Sequence, residues 1–161
     1  MAKVAADTGD NNEARRLHTD ALTIARRITD LEPNNARYQR DLSTSYERLA
    51  DLAAGAGHID EARRLYVDAL TIRRHLTDLD PNNAAYQRDL STSCDQLAEL
   101  ALRSGDNDET CRLFTEALTI HRRLTYALTI HRRLADLDPT DTSYRRGLTV
   151  EILPGGLVYE G

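Results

Sequence analysis

Lysine is almost missing from this chain: Lys3 stands alone among 21 basic residues, and arginine supplies the rest. Tryptophan is absent and phenylalanine occurs once, so a core must come mainly from leucine, isoleucine and alanine, a composition that suits helices better than sheets. Two cysteines, Cys94 and Cys111, are too few for a disulfide framework and lack the C-x-x-C spacing of a zinc site. They read as free thiols of a reducing compartment. No stretch approaches the ~20 apolar residues of a membrane span, and the opening MAKVAADTGD has no apolar leader core, which makes a cytoplasmic protein the expectation. Acids outnumber bases 26 to 21, leaving a net charge of −5. Nucleic acid needs a concentrated positive face to displace counterions, so neither nucleic acid nor membrane is expected as a partner.

What the chain does have is a repeat. Gly9, Gly57 and Gly105 open three copies of about 48 residues, of which the first two agree at about two thirds of positions. Within each copy the apolar spacing is helical, in two segments. The first runs Ala14, Leu17, Ala21, Ile24, Ile28 and Leu31, matched by Ala62, Leu65, Ala69, Ile72, Leu76 and Leu79, with Leu22 and Leu70 widening the stripe to a core-facing face. The second is carried by Tyr38, Leu42, Leu49 and Leu52, and again by Tyr86, Leu90, Leu97 and Leu100.

Punctuation falls between these segments. Asp10-x-x-Glu13 and Asp106-x-x-Glu109 have capping-box form, whereas the second copy puts the weaker cap His58 there. Glu32-Pro33 and Asp80-Pro81 should end the first helix of each copy, because the residue before proline is pushed out of the α region. Asn35 and Asn83 can cap the second helix, and Gly55 and Gly57 can release the chain from it. Each copy is therefore expected to be helix, turn, helix, glycine.

These letters resemble the tetratricopeptide repeat family. Gly57, Glu61, Ala62, Leu65, Tyr66, Ala69 and Leu70, followed by Asp80-Pro81-Asn82-Asn83-Ala84, are similar to its second helix and inter-repeat turn; Leu42, Ser43 and Tyr46 match its first helix. The resemblance implies an all-α fold, a right-handed α-solenoid of antiparallel helix pairs over residues 1–148, with a non-repeat tail at 149–161. The usual unit is ~34 residues, so the helices here should each be longer by about two turns. Serine at 43 and 91, where the family usually has glycine, implies looser helix contact.

Members of the family bind protein segments in a concave groove lined by the helix after the D-P-N-N turn, and have no catalytic residues. Carried over by position, the groove residues are Arg40, Thr44 and Glu47, then Arg88, Thr92 and Asp95, with Arg37 and Ala85 at the groove entrance. Their polarity suits a polar peptide or protein partner. The Lys/Asn carboxylate clamp of some members has no counterpart in this lysine-poor chain. The paired arginines, such as Arg26-Arg27 and Arg73-Arg74, fall on the helix that faces outward in the family and read as surface salt-bridge formers.

No chemistry competes with this reading. His121 and His131 are ten apart, out of phase for i, i+4 metal pairing, and no phosphate loop, nucleophile elbow or HExxH motif occurs. We expect no enzyme, metal or cofactor. Two features remain. The near-duplicate ALTIHRRLTYALTIHRRLAD at 117–136 contains no breaker and keeps its apolar step, predicting one helix from about Asp108 to Leu137 with Ile130 and Leu134 left as an apolar ledge. The tail segment VEIL has strand character. Together with the open repeat ends, Ile130, Leu134, Ile152 and Leu153 form the alternative expectation, a structural module that self-assembles into homo-oligomers.

Overall fold

The computed structural model describes residues 2–137, with side chains from residue 11 onward. These residues form five helices: α1 (Ala2–Leu31), α2 (Ala36–Gly55), α3 (Ile59–Leu79), α4 (Ala84–Arg103) and α5 (Asn107–Leu137). The fold is all-helical, with no strand among the described residues.

Local chemistry explains the boundaries. α1 and α3 stop at Leu31 and Leu79, just before the Glu32-Pro33 and Asp80-Pro81 turns. Asn35 Oδ1 accepts from the backbone N–H groups of Arg37 and Tyr38, and Asn83 Oδ1 from those of Ala85 and Tyr86, so both expected caps form. Gln39 and Gln87 each donate back to the proline carbonyl, at 2.8 and 3.0 Å, closing the two turns identically. Gly57 and Gly105 sit at φ +81° and +80°, the left-handed conformation that lets the chain leave one helix and enter the next. Asp106 Oδ1 accepts from Glu109 N–H at 3.1 Å, but the Glu109 carboxylate pairs with Arg112 and leaves the capping box half made.

One expected boundary does not exist. α1 runs unbroken through Gly9 and Asp10, so the first capping box does not start a helix. Intrinsic propensity tolerates a single glycine within a helix at a cost of about 1 kcal/mol. The 117–136 duplicate, by contrast, behaves as its spacing predicts: α5 is 31 residues long against 21 for α3.

Packing follows chain order. α2 lies most extensively on α3 and α4 on α5, with α1 on α2 and α3 on α4 as secondary contacts. The core is alanine-rich, with Ala50, Ala53, Ala62, Ala69, Ala98, Ala101 and Ala117 at 0–1% exposure, which brings helix axes close. Ser43 and Ser91 are fully buried too. Each returns its hydroxyl proton to a carbonyl of its own helix, Ser43 to Arg40 O at 2.8 Å and Ser91 to Arg88 O at 2.9 Å.

The largest departure from expectation is Arg73, which is 3% exposed rather than on the surface. Its guanidinium donates to Ser93 Oγ at 2.8 Å and to the carbonyl of Asp89 at 3.0 Å on α4, and to Ser43 Oγ and the Glu47 carboxylate on α2. Three helices meet on one side chain. The outward stripe of α1 is a second departure, because Leu17, Ile24 and Ile28 are 55%, 57% and 40% exposed, while the widening residue Leu22 is the buried one at 5%. Cys94 and Cys111 are both free, as expected.

Two measurements follow from this packing. Arg73→Ala should lower unfolding stability by about 3 kcal/mol in urea titrations, since it strands the Glu47 carboxylate in the interior; Arg27→Ala on exposed α1 should change it by less than about 0.5 kcal/mol. Burial also pushes the Cys94 thiol up to about 12, whereas Cys111 is exposed. Iodoacetamide at mild alkaline pH should therefore alkylate Cys111 alone, and Cys94 only after denaturation, as read by peptide mass spectrometry.

Candidate interaction site

The side-chain bonds sort the helices into two rows. Arg40 of α2 donates from Nε to Asp89 Oδ2 of α4 at 2.5 Å, and Gln96 of α4 reaches Asp51 of α2 at 3.5 Å, so α2 and α4 stand side by side. In the other row, Arg15 of α1 grips both carboxylate oxygens of Glu61 on α3 at 2.6 and 2.8 Å, and Arg74 of α3 grips Glu116 of α5 at 2.8 Å. These pairs join residues 42 to 49 positions apart, close to one repeat.

The α2–α4 row carries the residues singled out from the sequence, but their states differ. Arg37, Thr44 and Thr92 are exposed, and both threonine hydroxyls are already turned to carbonyls one helical turn back, Arg40 O and Arg88 O. Arg40 is partly exposed, and its hydrogen bond to Asp89 holds the guanidinium above its ordinary range. Arg88 and Ala85 are half-buried. Glu47 is turned inward, its side chain 13% exposed against Arg73, so its charge is spent inside the fold. Asp95 is half-exposed at 3.9 Å from His121 of α5, and burial raises its carboxyl above the ordinary range.

Arg48 and Asp51 also lie exposed on α2, and Glu99 and Arg103 on α4. Down α2 the open face thus alternates Arg37, Asp41, Thr44, Arg48, Asp51. Sequence reading missed Arg73 and Asp89, the two groups that neutralise the expected groove charges. A signal for Arg73 existed: Glu47 and Asp95 occupy one repeat position, and 26 residues after each comes a base, Arg73 or His121.

On α5, Ile130 is 39% exposed and Leu134 half-buried. Ile152 and Leu153 lie outside the described residues. Among the described residues no cluster of three or more His, Cys, Asp or Glu side chains is placed to hold a metal, and no helix is long and apolar enough to cross a membrane.

The ion pairs of the α1, α3 and α5 row carry a pH signature. Hydrogen bonding from Arg15 lowers the Glu61 carboxyl, and hydrogen bonding from Arg112 lowers that of Glu109. A depressed carboxyl stabilises the fold above its unfolded value and loses that contribution as pH falls through its folded value. Asp95 acts in the opposite sense, since protonating a raised carboxyl relieves its burial. Melting temperature should thus fall on acidification below the ordinary carboxylate range, and Glu61→Gln should lower the neutral melting temperature while flattening that fall.

Comparison with known proteins bears on this architecture. The family model described as a tetratricopeptide repeat matches residues 42–80, from Leu42 of α2 through all of α3, the pair in closest contact through Arg73. No curated protein and no solved structure matches the chain. Tetratricopeptide repeats generally mediate protein–protein interaction and are generally non-enzymatic modules. The match supports assigning the chain to the tetratricopeptide repeat family, with residues 42–80 of α2 and α3 as the matched repeat.

Proposed function

We propose that this chain is a non-catalytic scaffold which binds a peptide or protein segment along the α2–α4 row. That row would be the concave face of a right-handed solenoid of antiparallel helix pairs, spanning the 1–148 array with 149–161 as its tail. The observation that carries the reading is the side-by-side row itself: Arg40 and Asp89 tie α2 to α4 and leave Arg37, Thr44 and Thr92 open along one surface. The order of contacts supports antiparallel pairing, since Tyr66 bonds Asp51 whereas Arg73, further along α3, bonds Glu47 and Ser43, further back on α2. The net charge of −5 favours a protein partner over nucleic acid or an anionic membrane, and the free, unpaired thiols favour the cytoplasm.

A second reading, homo-oligomer formation through open repeat ends and the tail, draws on the exposed apolar residues Leu17, Ile24 and Ile28 of α1 and Ile130 of α5. The ledge of Ile130 and Leu134, with Ile152 and Leu153 of the tail, would contribute to it.

Filling the row tests the first reading. Partners recovered by in-cell crosslinking and mass spectrometry with the wild-type chain should be lost from Thr44→Tyr/Thr92→Tyr and reduced by Arg37→Glu. Arg27→Glu on the opposite row should keep them. Retention of every crosslinked partner by the double tyrosine variant would remove the groove reading.

A further inference from the structure

α1, α3 and α5 occupy equivalent positions in the repeat, so the buried surfaces of α3 and α5 say what the open surface of α1 is built to meet. Ala69 of α3 and Ala117 of α5 are 0% and 1% exposed, whereas Ala21 of α1 is exposed. Ile120 is 5% exposed and Ile72 half-buried, but Ile24 is 57% exposed. In α3 and α5 this stripe is covered by the preceding helix, α2 or α4. On α1 it borders a hollow of about 300 Å³, lined by Ile24, Ala25 and Ile28 together with Tyr38 of α2.

The sequence pattern of α2 and α4 recurs further along the chain. Residues 141–148, DTSYRRGL, repeat the pattern of 35–42, NARYQRDL, and of 83–90, NAAYQRDL. Continuing the alignment puts Leu153 at the position of Glu47 and Asp95. The residues opposite those positions follow in step: Glu47 meets the base Arg73, and Asp95 lies against the base His121. On α1 that same position is Ala25. Acid faces base twice, and the apolar Leu153 has an apolar counterpart only in Ala25.

We propose that the open stripe of α1 is covered by residues 141–153 of a second copy of the chain, docked head to tail, with Leu153 of one copy against Ala25 of the other. Such a contact is heterologous: each copy offers two different surfaces, so association continues into rings or open chains rather than stopping at a symmetric dimer. The inference rests on the self-assembly reading and names its contact.

Light scattering coupled to size exclusion tests it on the full chain. The wild type should show a mass above the 18.1 kDa of one chain, rising with concentration. Ala25→Arg and Leu153→Glu should each return to a single chain, and an equimolar mixture of the two should regain association, since the first keeps an intact Leu153 and the second an intact Ala25. Ile24→Glu, at a site already open to solvent, should also be a single chain with unchanged helical circular dichroism. A monomeric wild type overturns this inference and the self-assembly reading together. An associating wild type whose Ala25→Arg and Ile24→Glu variants still associate overturns the α1 contact alone, and single variants that fail to recover on mixing overturn the head-to-tail pairing.

Discussion

A guanidinium taken out of water must have its donors satisfied, and Arg73 finds partners only because three helices converge on it. Ser43 and Glu47 fix it to α2, Ser93 and the Asp89 carbonyl to α4, and its own backbone belongs to α3. Sliding any of these helices by a turn of about 5.4 Å would strand a buried charge. The smooth alanine surfaces around it offer close contact but little to define register. The arginine supplies the register that alanine cannot.

From that register the two rows follow. With α2 and α4 both held to Arg73, Asp89 comes within reach of Arg40, which ties α2 to α4 directly. In the opposite row the Arg15–Glu61 and Arg74–Glu116 pairs repeat the arrangement at nearly one repeat length. These partly exposed pairs are each worth little. Their consequence lies in geometry and in charge: the candidate groove enters any encounter with Glu47 and much of Arg40 already compensated. What remains open is a polar face of alternating sign with threonines between, which favours shape and hydrogen bonding over bulk electrostatic attraction.

Stacked repeats touch mainly their neighbours, so the ends of an array differ physically from its middle. The same apolar stripe that is core in α3 and α5 is surface in α1, and nothing in the stripe itself differs enough to announce this. The repeat position occupied in turn by Ala25, Arg73 and His121 does differ: Arg73 meets Glu47 and His121 lies near Asp95, whereas Ala25 carries no charge. That position distinguishes one junction of the array from the next.

Helix boundaries were legible from residues acting over a few positions: the Asn35 and Asn83 caps, the proline turns, the left-handed Gly57 and Gly105, and the unbroken α5. Gly9 and Asp10 were misleading because a cap signal is local, whereas the choice to continue a helix is not. The candidate face was legible as a row but not in its state of charge. By itself the sequence determined the periodicity, the punctuation and the all-helical class, since these depend on backbone geometry and on neighbours along the chain. Only the tertiary structure decided which side of each stripe is buried and that Arg73 lies inside. Burial depends on what stands across the interface, and those groups come from residues 16 to 30 positions away along the chain.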